Sequence, residues 1–404
     1  MHLHLFTIDL QAATNRMSTL GLVKLKTIYL FINMAKSVHI SVFFILILST
    51  FCEGQGQVGL PNETKPEPKE LIVSGVPKTI TRNIMEDSKG NMWVAAFDGI
   101  FRQDSTQAAG KSFTNITSEI SSARFFDILE DKEGNFWFST TYSGVYYYQP
   151  GRAGGESLQH FTIEDGLASD QVLAIYEDKN GNIWFGTKAG ASRYNPARRS
   201  NSDAQKSDTL GAKEKLFTTF KMNESDRRAG SSRFDPYDND VNSIVEDDTG
   251  KFWFGTRGNT FTFDGKKFTV VTNHGEPLFN VRKIIKDTKG NIWLAGIEDG
   301  LWRISGNTFT NFSQQPTGYV YEDKKGNIWT SSKPPYNGSD RWALSRYDVQ
   351  TLSDQKPNVT DVMAEYEDYK NMIFGIAEAK DGSIWFGTLS GLFRYDGEAI
   401  TPIK

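Results

Sequence analysis

Seven times the sequence writes nearly the same phrase: a short apolar run, an acidic turn with a glycine, then a tryptophan inside a second apolar run. The copies are NIMEDSKGNMWVAA (83–96), DILEDKEGNFWFST (127–140), AIYEDKNGNIWFGT (174–187), SIVEDDTGKFWFGT (243–256), KIIKDTKGNIWLAG (283–296), YVYEDKKGNIWTSS (319–332) and GIAEAKDGSIWFGT (375–388). Their tryptophans, Trp93, Trp137, Trp184, Trp253, Trp293, Trp329 and Trp385, are separated by 44, 47, 69, 40, 36 and 56 residues. Seven of the nine tryptophans therefore share one register, and a phrase recurring at this interval marks a repeated structural unit.

Each unit reads as four short strands. LAIYED leads through Lys-Asn-Gly-Asn into IWFGT, where the glycine permits the positive φ of a tight hairpin. A third strand follows as GASRYN (190–195) or GLFRYD (391–396), and a fourth as KFTVVT (267–272) or TFTNFS (308–313). The second strand is apolar on both faces, with Ile183 and Phe185 on one and Trp184 on the other, so each sheet must be covered twice. Burying one indole removes about 150–250 Å² from water, worth roughly 4–6 kcal/mol at most. An isolated hairpin cannot bury that surface. Sheets stacked around an axis can, which predicts an all-β, seven-bladed β-propeller of four-stranded antiparallel blades over 71–404.

Composition agrees. The 404 residues include 28 Phe, 15 Tyr and 36 Gly, as expected of short strands and tight turns. The net charge of −4, with no Lys/Arg stripe, gives no basis for nucleic-acid binding. One cysteine, Cys52, excludes an intrachain disulfide and a cysteine-based zinc site. No cofactor is expected.

Residues 1–52 read as an N-terminal extension and signal peptide, and 53–70 as a polar, proline-rich linker. The apolar run ISVFFILILSTF (40–51) is shorter than the roughly 20 residues that span a bilayer. With Lys36 before it and CEGQGQ after it, the run has the order of a secretory signal starting at Met34, residues 1–33 then being upstream of the working start. Cys52 stands where a lipoprotein signal places its lipid-bearing cysteine, although Phe51 departs from the small residue usual there. The expectation is a periplasmic or cell-surface protein, with Cys52 a candidate lipid anchor. Two segments, LIVSG (71–75) and AITPIK (399–404), compete for the outer strand of the last blade.

D-x-x-G-N-I-W-F-G-T followed by G-L-x-R-Y-D resembles the two-component regulator propeller repeat, over about 70–404 and most specifically around Trp184, Trp293 and Trp385. The resemblance implies the extracytoplasmic sensor region of hybrid histidine kinases, common in Bacteroidetes. Relatives of that kind continue into a β-sandwich, a membrane helix, a kinase and a DNA-binding regulator, none of which is recognisable here. The chain reads as a sensor module without phosphotransfer activity. Its expected partners are an extracellular ligand, with a glycan as one candidate, and a membrane-bound histidine kinase or another protein.

Loops before each first strand and between second and third strands share one face, where function is usually carried. Thirteen residues are candidates there: Arg124, Phe125, Tyr142, Asp170, Gln171, Arg257, Asn280, Arg282, Glu298, Asp299, Tyr319, Tyr336 and Trp342. Aromatics beside carboxylates, amides and arginines suit a sugar ring and its hydroxyls, while Arg257 and Arg282 are also placed to pair with Glu298 and Asp299. The turns DKNGN and DSKGN lack the spacing of a calcium loop and read as hairpin turns. Two further classes compete. A propeller enzyme resembling streptogramin lyase needs a histidine near the axis, and beyond the signal only His160, on an outer strand, and His274 remain. A protein-binding scaffold needs no special residues.

Overall fold

The computed structural model describes residues 75–106, 113–120, 123–152, 157–195, 216–222, 235–333, 341–363 and 372–403. Tyr336, Cys52 and the segments 1–52 and 53–70 lie outside them.

Seven four-stranded antiparallel sheets follow one another, each with its strands in chain order. Among the described residues, helix is confined to single turns such as Ile163–Asp165 and Val349–Thr351. The first strands are Thr81–Glu86, Phe125–Glu130, Val172–Glu177, Val241–Glu246, Val281–Lys286, Thr317–Glu322 and Gly375–Glu378. Every second strand, from Met92–Ala96 to Ile384–Thr388, is buried at all five positions, as its double-sided apolar pattern requires.

The core is divided into seven clusters, one at each junction between neighbouring blades, and each holds one repeat tryptophan. Trp93 of the first blade stacks on Phe136 of the second at 4.0 Å, and Trp184 of the third packs on Phe252 of the fourth at 4.8 Å. Trp385 of the last blade packs with Ile84, Met92 and Val94 of the first. That contact shuts the ring. The outer strand of the last blade is Ile400–Pro402, paired with Gly391–Tyr395, so the C-terminal segment takes the contested place. Among the described residues the first and last blades share no sheet and meet through side chains. Gly186 shows how closely blades approach: a Cβ there would stand 2.8 Å from the Val241 carbonyl of the next blade.

The repeated phrase is a hydrogen-bonding device. Asp178 Oδ1 accepts the N–H groups of Asn180 (2.9 Å) and Asn182 (2.8 Å), while Oδ2 accepts Asn182 Nδ2 (2.8 Å) and Trp184 Nε1 (2.9 Å). Asp87, Asp131, Asp247, Asp287 and Asp323 hold their tryptophans in the same way. Those carboxylates are occupied by donors, so the turns are hairpin turns in geometry as in spelling. In five blades an arginine of the third strand lies in register with the tryptophan; Arg193 stands over the Trp184 ring at 5.5 Å.

A glutamate at the end of the first strand stitches blades together at five junctions. Glu130 accepts the Ser88 N–H, Glu177 that of Lys132, Glu246 that of Lys179, Glu322 that of Thr288 and Glu378 that of Lys324, always from the preceding blade. The fifth blade has Lys286 instead, and the fourth answers with Asp248, 2.7 Å from its Nζ.

Candidate functional site

The first strands ring the axis, and their burial does not alternate. In Thr81–Glu86, Phe125–Glu130 and Val281–Lys286 the first and fourth residues are buried while the second and third are partly exposed. In six blades the pairing slips near the second residue, as between Thr81 and Asn83 or Val281 and Lys283. Such a bulge bends the strand and re-aims a side chain. In the six bulged blades successive residues thereby turn to the axis, and with Met372 and Phe374 of the seventh they line a cavity of about 270 Å³.

The outer layer of this cavity is Arg82, Phe126, Leu173, Asn242, Arg282, Gly318 and Phe374. The Arg82 guanidinium is held between Phe126 and Phe374, 4.1 Å from each ring centre. Burial, then the charge of Arg282, pushes its pKa down to about 10. Burial and Arg257 also lower that of Arg282, with Asp240 opposing. Arg82 Nε, Arg282 Nε and Asn242 Nδ2 are buried without a hydrogen-bond acceptor.

The inner layer includes Asn83, Asp127, Ser243, Lys283 and Tyr319. Asp127 accepts Asn83 Nδ2 and the N–H groups of Ile128 (3.0 Å) and Ile175 (2.9 Å). Tyr319 donates its hydroxyl to Asn83 Oδ1 at 3.4 Å, and Lys283 Nζ stands 5.1 Å over the Tyr319 ring. Burial raises the Asp127 pKa, with Lys283 and the hydrogen bonds opposing. Burial alone would lower the Lys283 pKa; Tyr319 and Asp127 outweigh it and raise it. The layer sets Asp127 and Lys283 in one side-chain network drawn from four blades, the attraction between the opposed charges offsetting part of the cost of dehydration.

Of the thirteen residues chosen from sequence, Arg282 and Tyr319 line this cavity. Phe125 is fully buried among Ile128, Phe136 and Phe138, and Trp342 is 9 % exposed, so neither presents a ring on the face. Arg257 pairs with Asp240 at 3.6 Å and lies over Tyr237, instead of meeting Glu298 or Asp299. Glu298 accepts from Asn280 Nδ2 at 3.3 Å, and Asp299 accepts the Phe279 N–H. Asp170 Oδ1 accepts the Ile163 N–H at 2.9 Å, and the Gln171 carbonyl accepts from Lys188 at 3.1 Å, both bonds bracing loops. Arg124 is exposed and lies against Phe97, and Tyr142 is exposed. The loops thus mostly brace one another, and the chemistry gathers at the axis.

His160 stacks on Tyr146 at 4.3 Å on an outer strand, and His274 is exposed in the turn joining Thr272–Asn273 to Glu276–Pro277. Neither lines the axial cavity.

Residues 119–142, 166–189 and 238–258, in the second, third and fourth blades, match the two component regulator propeller family. No curated protein matches the chain in sequence. Among solved structures, the extracellular domain of a putative hybrid two component system from B. thetaiotaomicron is similar, with 22 % identity and a TM-score of 0.57 over 80 % of this chain and 39 % of that one. A second such domain from that organism has 16 % identity and a TM-score of 0.53 over 80 % and 48 %. Virginiamycin B lyase from Staphylococcus aureus has 13 % identity and a TM-score of 0.54 over 78 % and 94 %. At these identities the likeness is one of fold, and this chain spans less than half of either two component domain.

Proposed function

We propose that this chain, which carries two component regulator propeller repeats, is an exported sensor-type propeller that binds a small extracellular ligand at its axis and has no phosphotransfer activity of its own. The observation that carries the reading is the cavity of about 270 Å³ to which all seven blades contribute. It is slightly smaller than the ~300–1,000 Å³ of typical small-molecule sites, so the ligand is small. Six bulges interrupt the strand pairing to turn polar side chains into that space, an arrangement that packing alone does not require. Occupation would be passed to a protein partner, with a membrane-bound histidine kinase fitting the repeat family.

The test is thermal unfolding of the chain against a panel of sugars, sugar acids, amino acids and small extracellular metabolites. A ligand at 100 times its Kd stabilises the fold by about 2.7 kcal/mol. The reading expects at least one saturable shift that Tyr319→Ala weakens; a panel without a shift, or a shift indifferent to axial substitutions, contradicts it. Protein docking is the second reading, favoured by Tyr142, 66 % exposed in a turn between second and third strands. It expects a partner whose binding Tyr142→Ala disrupts.

A further inference from the structure

Resting on the reading of the axis as a ligand site, we propose that the ligand presents an oxyanion, a carboxylate, sulfate or phosphate, to Arg82 and Arg282. The lining holds three cations, Arg82, Arg282 and Lys283, and one carboxylate, Asp127. Lys283 and Asp127 answer each other in the inner layer. Two guanidiniums remain in the outer layer, on the first and fifth blades, and among the described residues neither forms an ion pair. Asp240, whose charge reaches Arg282, is taken by Arg257.

This is an unusual concentration of uncompensated charge for a chain of net charge −4. Like charges in a poorly hydrated space repel: burial, then the charge of Arg282, lowers the Arg82 pKa, and burial, then the charge of Arg257, lowers that of Arg282. Buried donors without acceptors carry a dehydration cost, and three of them, on Arg82, Arg282 and Asn242, flank the same space. An oxyanion relieves both penalties at once, since it neutralises the pair and accepts from all three donors through short charge-assisted bonds. The rings of Phe126 and Phe374 cover both faces of Arg82, leaving only its edge to donate. That edge is a planar fork already fixed in orientation, as recognition of an oxyanion requires.

The experiment is calorimetric titration of the full chain at constant ionic strength with sodium sulfate, sodium phosphate, glucuronate and galacturonate, against glucose and galactose. At least one oxyanion should bind saturably while the neutral sugars do not, and the preferred compound tells carboxylate from sulfate or phosphate. Arg82→Gln and Arg282→Gln should each weaken binding tenfold or more, Arg82→Lys less, and the exposed Arg124→Gln not at all, thermal melts confirming that each variant is folded. Neutral sugars binding as tightly as their acids would overturn the oxyanion while leaving an axial ligand site standing. Oxyanion binding that ignores both arginines would overturn it too, by placing the anion elsewhere. Absence of any binding would remove this inference, and the ligand reading with it if the broader panel also fails.

Discussion

Replacing Asp178 by alanine should be far more damaging than a substitution in an exposed hairpin turn. Asp178 is 2 % exposed and Trp184 1 %, so water cannot replace the lost acceptor. The indole N–H, now 2.9 Å from the carboxylate, would be buried unpaired, at a cost of about 1–3 kcal/mol. The N–H groups of Asn180 and Asn182 lose their turn acceptor as well, at about 0.5–1.5 kcal/mol each. The expected loss is about 3–4 kcal/mol, read by urea unfolding followed by circular dichroism. The last blade supplies a control. There Ala379 replaces the aspartate, and Trp385 donates instead to Ser383 Oγ at 3.2 Å. Asp178→Ala combined with Asn182→Ser should therefore recover about 1 kcal/mol, the worth of one hydrogen bond. A single variant within 0.5 kcal/mol of wild type, or a double no better than the single, would refute the role assigned to the turn.

In the inner axial layer, Asp127→Asn and Lys283→Met should each destabilise by stranding a partner, whereas the double variant should lose less than their sum; a double-mutant cycle reads the coupling, about 1–3 kcal/mol. Because the Lys283 pKa is raised, its charge stabilises the fold fully below its unfolded value near 10.5, and this is lost as pH rises through the folded value. Lys283→Met should therefore flatten the alkaline decline in stability, and an unchanged decline would contradict the sign. Lys286→Glu should cost about 0.5–1 kcal/mol by facing Asp248 with like charge, and adding Asp248→Lys should restore it. Arg82 has its pKa lowered from 12.5 to about 10, so its charge costs the fold roughly 3 kcal/mol at every pH below about 10. Losing the two ring contacts offsets about 2 kcal/mol of this. Arg82→Met should consequently raise stability by about 1 kcal/mol in anion-free buffer, and a lower midpoint would show that the guanidinium is not strained.

The ring was legible because its elements repeat locally. In six blades the turn aspartate stands six residues before its tryptophan, and the tryptophan recurs in all seven copies, which reinforces the register. The axial site was not, because its residues are far apart in sequence: Arg82 and Arg282 meet only when the ring shuts. The candidate positions lie on or beside loops, yet Phe125 begins a strand whose first position faces the core, and Asp170 braces its own loop. A signal was nevertheless present. Thr-Arg-Asn-Ile, Val-Asn-Ser-Ile and Val-Arg-Lys-Ile place two polar residues between core positions, which strict strand alternation forbids and a bulge permits. Arg257 misled for a different reason, since its partner Asp240 lies in the preceding loop and not at Glu298 or Asp299.

Selenate is an oxyanion whose selenium can be located by anomalous scattering, and crystals of the chain grown with it test the axial site most directly. The account predicts one dominant selenium peak in the axial cavity, its oxygens within hydrogen-bonding distance of the Arg82 and Arg282 guanidinium groups. A vacant axis, with selenate only on outer-surface lysines, would contradict it.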